Sequence, residues 1–279
     1  MITQYPHLET ERRGGVLIIR LDNEAARNSL TREMRFSLRE VTRAIEDDHT
    51  VRSIYFTGKG KTFCSGGDLR VMTHASEPWA VHRRFRHANT LLPAFLSLSR
   101  PVVCGVRGHA VGGGLGLALM SDLIVAGESA KFSAGFFRLG VVPDCLTMFT
   151  LPRLIGLAKA RNYLLTNSTW NAREAEELGI VARVVADASV DAEGLALAEE
   201  LASGPVEAMG LAKQILLKSF ETSLTEMMNY EEFGQVLAMS SAEFHEGLSA
   251  LLAKRKANFS AAAAADQTGD GMPSISGVD

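Results

Sequence analysis

Three consecutive glycines, Gly112 to Gly114, stand between the β-rich run Pro101 to Val106 and an apolar stretch from Leu115 to Met120. Glycine has no side chain to cover the backbone N–H groups that a helix leaves unpaired in its first turn, so this segment can present donors to an electronegative atom. The same residues would also let the helix pack closely on a sheet, and the pattern alone leaves both readings open. A second glycine turn, Gly66-Gly67, leads into Asp68 and the segment Leu69 to Met72. Asp68 is a candidate acid, but an Asp directly after a glycine turn is more simply a helix N-cap.

The nucleotide-binding motifs do not fit. A dinucleotide fingerprint starting at Gly112 would need glycine where Leu117 stands, and no Gly-Lys-Ser/Thr follows. No serine sits in a GxSxG elbow and no HExxH spacing occurs among the seven histidines, which argues against serine-hydrolase and metalloenzyme chemistry. Another carboxylate, Asp144, follows Pro143 amid Phe136, Phe137, Val141, Val142, Met148 and Phe149. If these residues surround it, desolvation raises its pKa and makes it a better base toward a carbon acid. Pro143-Asp144 ahead of Leu146 and Met148 is also the pattern of a helix N-cap. Cys64 and Cys145 adjoin these segments without an evident activating base and read as small packing residues. His82 and His87 fall in a long helical stretch, where histidine is ordinarily a surface or packing residue.

Lys61-Thr-Phe-Cys-Ser-Gly-Gly-Asp-Leu69 together with Val106-Arg-Gly-His-Ala-Val-Gly-Gly-Gly-Leu-Gly-Leu-Ala-Leu-Met-Ser-Asp122 resembles the crotonase (enoyl-CoA hydratase/isomerase) superfamily. The turn Asn23-Glu-Ala-Ala-Arg-Asn-Ser-Leu30, the segment Leu139-Gly-Val-Val-Pro-Asp144 and the ending Lys254-Arg-Lys-Ala-Asn-Phe259 are similar to it too, so the resemblance runs from residue 10 to 259. It implies a spiral of ββα units, and a C-terminal helical region that forms a homotrimer or a dimer of trimers. It also implies an oxyanion hole, in which the Gly67 and Gly113 amides donate to the thioester oxygen of an acyl-CoA. Each such donor can be worth roughly 3 kcal/mol in the transition state. CoA contacts map to Ala25, Arg27, Ser65, Gly67, Asp68 and Leu69, with Gly113 and Phe136 beside the acyl group. Arg27 is either the partner of a CoA phosphate or a solvated side chain. CoA enters as part of the substrate, with no separate cofactor and no metal.

The chain departs from a hydratase of that family at two positions. The two glutamates that hold water there fall on Gly116 and Phe136, neither of which transfers a proton. Asp144 matches the functional aspartate of the family's dienoyl-CoA isomerases, phenylacetate-pathway isomerase and 4-chlorobenzoyl-CoA dehalogenases. The resemblance therefore implies an enoyl-CoA isomerase, with Asp144 moving a proton between two carbons of a dienolate held by Gly67 and Gly113. Two alternatives stay open. Asp144 can act as a covalent nucleophile in hydrolytic or dehalogenating chemistry, with a histidine as base for a water; His82 and His87 lie near the region where such a base would be found, but neither is assigned that role. Or the chain can be a silent acyl-CoA binder.

The elements that must position these residues alternate between strand and helix, which indicates an α/β fold. Gly15 to Asp22 reads as strand and Thr31 to Ile45 as helix, with Met34, Leu38, Val41 and Ile45 at helical spacing. Ser53 to Gly58, Pro101 to Val106, Asp122 to Val125 and Ile180 to Val185 read as further strands. Helices are expected at Trp79 to Leu98, Leu115 to Met120, near Asp144, at Ala158 to Leu165, and after a capping box at Asn171 to Glu174. Beyond Pro205 only helical stripes remain, at Val206 to Phe220, Leu224 to Met239 and Ser241 to Asn258. The expected division is a core over 1–204, a helical subdomain over 205–259 and a disordered tail over 260–279.

Bulk composition agrees with this. The chain has 279 residues, is 46% hydrophobic and 22% charged, and carries a formal net charge of -3, so no overall basic field exists to collect nucleic acid. Three cysteines without a CxxC pair argue against a disulfide framework and point to a reducing, cytoplasmic setting. The first ten residues do not read as a signal peptide, and no apolar run approaches the ~18 residues of a membrane span.

Overall fold

The computed structural model describes residues 5–72 and 77–267. In chain order the strands are β1 (Leu8–Arg13), β2 (Val16–Leu21), β3 (Ser53–Gly58), β4 (Val102–Val106), β5 (His109–Val111), β6 (Leu123–Gly127), β7 (Lys131–Ser133), β8 (Thr169–Asn171) and β9 (Arg183–Val185). The helices of the first half are α1 (Arg32–Glu46), α2 (Leu69–Met72), α3 (Pro78–Leu96) and α4 (Gly113–Leu119). Then follow α5 (Thr147–Ile155), α6 (Leu157–Leu165), α7 (Ala172–Glu177), α8 (Val190–Ala202), α9 (Val206–Leu216), α10 (Leu224–Met239), α11 (Ala242–Leu252) and α12 (Phe259–Gln267).

A six-stranded sheet runs in the order β1-β2-β3-β4-β6-β9, parallel throughout except for the β1–β2 hairpin. A smaller sheet, β5-β7-β8, lies beside it. Because side chains alternate along a strand, each inner strand serves two cores. Leu17, Ile19, Ile54, Phe56, Val102 and Cys104 join the main cluster with α1 and α3 residues such as Met34, Leu38, Leu91 and Phe95. Val16, Ile18, Tyr55, Val103 and Val125 face the other way and pack with Ala198 and Ala202 of α8. Burial on both faces explains why these strands read as continuous apolar runs.

The strong local signals fold as their chemistry dictates. Thr31 caps α1 by accepting the Met34 N–H at 3.1 Å, and Asn171 and Glu174 form the expected capping box of α7. Besides the three-residue strands β5, β7 and β8, two longer elements of the core escaped the pattern reading. β1 carries Glu, Thr, Glu, Arg and Arg on a largely exposed edge. α8 buries only Val190, Gly194, Ala198 and Ala202, a stripe too small in side chain to show as hydrophobic periodicity. A Cβ on Gly194 would stand 2.4 Å from the Tyr55 ring, so helix and sheet touch backbone to ring.

The alanine run assigned to a tail is a correction: Phe259–Gln267 forms α12. Alanine has the highest intrinsic helix propensity, Asn258 accepts the Ala261 N–H at 3.2 Å, and the Phe259 ring lies against Gly247 of α11. The rest of that expected tail, 268–279, lies outside the described residues. The C-terminal helices are tied to the sheet by a buried ion pair, Arg52 to Glu243 at 3.0 Å. Arg52 also donates to the carbonyls of Ala202 and Gly204, while Glu243 accepts the Val206 and Glu207 amides at 3.1 Å each and so caps α9 from a distance. α10, by contrast, has no buried residue, with Met228, Phe233, Val236 and Leu237 all exposed. Among the described residues no helix is long and apolar enough to cross a membrane.

Candidate active site

The loop after β3 carries the first glycine turn, and three backbone contacts clamp it. Cys64 donates to the His109 carbonyl at 3.0 Å and accepts from Val111 at 3.0 Å, while Leu30 donates to the Gly66 carbonyl at 2.8 Å. Asn28, nearly fully buried, holds the same loop from below through the Lys59 and Thr62 carbonyls at 2.9 and 2.8 Å. Gly66 adopts φ +88, a left-handed conformation that L side chains rarely adopt, and a Cβ there would lie 2.5 Å from the Val111 carbonyl oxygen and 3.4 Å from the Gly113 nitrogen. The two glycine segments, forty-odd residues apart in sequence, are therefore in direct contact.

Between them opens a cavity of about 520 Å³. Gly67 and Gly113 both line it, and among the described residues neither amide donates to a protein acceptor. Gly113 is the first residue of α4, where no intrahelical partner exists for its N–H. Two residues whose amides have no protein acceptor thus line one space, and a pair of backbone donors of this kind can stabilise negative charge on a carbonyl oxygen. Ser65, Asp68, Leu69, Phe136 and Asp144 line the same cavity.

Asp144 lies half-buried in the loop before α5. The cap alternative does not form: α5 starts at Thr147 with Leu146 at the N-cap and no side-chain cap bond. It is the Asp144 backbone carbonyl that accepts the Thr147 N–H, at 3.0 Å. Cys145 and Leu146 follow with φ of 50 and 59, an uncommon left-handed pair that turns the chain sharply and leaves Asp144 and Cys145 at the cavity wall. The apolar enclosure expected around Asp144 is only partly made by this chain. Phe136 is buried and Phe149 half-buried, whereas Phe137, Val141, Val142 and Met148 are 40 to 71% exposed.

That same turn packs against Gly116, which the family resemblance aligns with one glutamate of hydratases. A Cβ on Gly116 would stand 2.4 Å from the Cys145 carbonyl oxygen and 2.7 Å from its Cβ. Phe136, at the other glutamate position, closes on Gly112, its ring 3.7 Å from where a Cβ would project.

Asp68 does cap α2, accepting the Arg70 amide at 3.1 Å and its guanidinium at 2.9 Å. The Arg70 bond, over a smaller desolvation, holds the Asp68 carboxyl below its ordinary range. Cys64 is buried, which pushes its thiol up to about 12. Burial, followed by the neighbouring Asp144 carboxylate, also raises the Cys145 thiol. Ala25 and Arg27 are exposed and do not line the cavity, yet the Arg27 carbonyl accepts the Ser65 N–H at 3.1 Å and so couples that turn to the glycine loop. His82 is exposed, edge-on to Trp79 with ring centres 5.7 Å apart, and does not line the cavity. The side chain of His87 lies outside the described residues.

Sequence reasoning missed Arg35, Phe85, His109, Lys131, Arg138 and Thr169, all of which line the cavity. A period-2 reading of the short strands would have placed His109 with Val111 and Lys131 with Ser133 on one face. Three-residue strands offer too little alternation to show it.

The model of the family described as "Enoyl-CoA hydratase/isomerase" matches residues 11–262. The 1,2-epoxyphenylacetyl-CoA isomerase of Escherichia coli (strain K12) is 36% identical over 248 residues, covering 88% of this chain and 95% of that protein. The 4-chlorobenzoyl coenzyme A dehalogenase-2 of an Arthrobacter species is 30% identical over 254 residues, covering 89% of this chain and 91% of its own. Among solved structures, the enoyl-CoA hydratase/isomerase from Cupriavidus metallidurans CH34 superposes with a TM-score of 0.87 at 30% identity, covering 92% of this chain and 97% of that one.

Proposed function

The chain belongs to the enoyl-CoA hydratase/isomerase family, and within it we propose an enzyme that shifts a double bond along an acyl-CoA thioester. The observation that carries this reading is that Gly67, Gly113 and Asp144 line one cavity while Gly116 and Phe136 replace both water-holding glutamates. In this reading the thioester oxygen lies between the Gly67 and Gly113 amides. Asp144 takes a proton from the carbon that loses it, negative charge spreads onto the oxygen, and Asp144 returns the proton two carbons away. One carboxylate suffices because the same group is base and then acid. CoA enters with the substrate and no further cofactor takes part. In this reading the CoA portion meets Ser65, Asp68 and Leu69 of the cavity lining and the Ala25–Arg27 turn that is hydrogen-bonded to Ser65.

The test is conversion of 3-enoyl-CoA to 2-enoyl-CoA by the wild type and by Asp144→Asn. A loss of turnover in the variant is expected, and undiminished turnover removes Asp144 from the mechanism. The dehalogenase relative supports a second reading, in which Asp144 attacks the acyl group and an acyl-aspartyl adduct forms. A mass shift on the Asp144 peptide during turnover distinguishes it from proton transfer. The same proposal extends to assembly and setting. The unburied apolar side chains of α10 support a homotrimer, alone or paired with a second trimer, and the three free cysteines support a cytoplasmic location.

A further inference from the structure

One part of the cavity lining comes from a small sheet rich in polar groups. In the β5-β7-β8 sheet, alternation sends Ala110 and Phe132 into the core and His109, Val111, Lys131, Ser133 and Thr169 to the cavity. His109 stands opposite Lys131 in register, and Ser133 opposite Thr169, their hydroxyl oxygens 2.8 Å apart. Arg138, on the Phe136–Leu139 turn, lines the same space. Among the described residues the Lys131 and Arg138 side chains have no acidic partner. The cavity's acid at the other glycine turn, Asp68, is already bound by Arg70. This part of the lining therefore offers two cations without a salt-bridge partner, an imidazole and two hydroxyls, with His109, Lys131, Arg138 and Thr169 exposed at the cavity's mouth and Ser133 half-buried, while the cavity's other carboxylate is Asp144.

We propose that this part of the lining is a subsite for a carboxylate carried by the acyl chain, so that the preferred substrates are CoA thioesters of unsaturated dicarboxylic acids. The inference rests on the thioester-binding reading above. A strand rises about 3.3 Å per residue, so His109 lies ~7 Å beyond Val111, the residue next to the oxyanion donors' turn. That reach suits the far end of a medium-length acyl chain. The phosphates of CoA are the other anions such a ligand brings, but the pantetheine arm separates them from the thioester by a far longer span. A carboxylate would meet the Arg138 fork and the Lys131 ammonium directly, and the Ser133–Thr169 hydroxyl pair would complete its hydrogen bonds.

The experiment compares 3-octenedioyl-CoA, its terminal methyl ester and 3-octenoyl-CoA, measuring both Kd and kcat/KM. The proteins are the wild type, the double variant Lys131→Ala with Arg138→Ala, and Lys131→Arg, with thermal unfolding reporting that each is folded. The diacid is expected to bind at least about tenfold better than its methyl ester, the scale of one charge-assisted hydrogen bond. That ratio should fall toward one in the double variant and be retained in Lys131→Arg. The same ratio should survive in the corresponding pantetheine thioesters, which carry none of CoA's phosphates. A wild-type ratio near one overturns the proposal, as does a ratio that persists in the double variant. A double-variant penalty that is equal for all three acyl groups and vanishes in the pantetheine series assigns the cations to CoA and also overturns it. Preferential binding of the diacid without double-bond migration would support the subsite while rejecting the isomerase reading.

Discussion

The carbonyl oxygen of Cys145 stands 2.4 Å from the point where a Cβ on Gly116 would project. The turn that carries Asp144 and the helix that begins at Gly113 are thus packed against each other without room for a side chain at 116. The position that the family resemblance aligns with a water-holding glutamate of hydratases has no space for one in this packing.

Restoring that glutamate should therefore fail. Gly116→Glu forces a side chain against the Cys145 carbonyl and Cβ, and overpacking of this kind costs typically about 1 to 3 kcal/mol or more. Thermal unfolding should show a lowered Tm, and the double variant Gly116→Glu with Phe136→Glu should add no water to 2-enoyl-CoA. A variant with wild-type Tm and measurable hydration would overturn the packing argument.

Gly66→Ala tests the contact between the two glycine segments. The new methyl would meet the Val111 carbonyl at 2.5 Å in a left-handed backbone, displacing the turn that presents the Gly67 amide. Loss of one oxyanion donor typically costs about 10²-fold or more in kcat. Steady-state kinetics should show kcat falling by that order with a smaller change in KM, and an unchanged kcat would dissociate Gly67 from catalysis.

Glu243→Ala would leave the Arg52 guanidinium buried without its counter-charge and the Val206 and Glu207 amides without their acceptor. Breaking a buried pair from one side costs roughly 3–5 kcal/mol. Chemical denaturation should show a lower midpoint for Glu243→Ala than for Glu243→Gln, which keeps one acceptor. Equal midpoints for the two variants would mean that the pair contributes little.

The connection between α11 and α12 carries a pH signature. Glu246 accepts from both Arg255 nitrogens at 2.6 and 2.8 Å and from the Asn258 amide at 2.6 Å, and the Arg255 bonds lead the causes that hold its carboxyl at about 2. The folded value lies below the ordinary carboxylate range, so the stabilisation is complete above that range, declines as pH falls through it and is gone once pH has fallen through about 2. Hydrogen exchange should find the α11–α12 connection as protected at pH 6 as at neutrality, after correction for intrinsic rates, and progressively less protected below the ordinary carboxylate range. Glu246→Gln should expose it at both pH 6 and neutrality, and a wild-type loss of protection by pH 6 would contradict the assignment.

Much of this molecule was legible before folding was considered. The apolar runs of β2, β3, β4 and β6 and the stripe of α1 announce themselves because burial demands long, regular patterns. Gly67, Gly113 and Asp144, which line one cavity, could be named from their motifs. Elements built from small or polar residues stayed hidden: α8 buries alanine and glycine, β1 is an exposed edge, and the alanine run of α12 resembles a tail in composition alone. Only tertiary structure could decide that Asp144 is not a helix cap, because that depended on the left-handed turn at Cys145 and Leu146. Only it could bring His109, Lys131, Ser133, Thr169 and Arg138 to one wall, since strands of three residues acquire a common face by pairing, not by sequence. The motifs determined which atoms are available for chemistry, whereas long-range packing decided which of them share a cavity and which space is already filled.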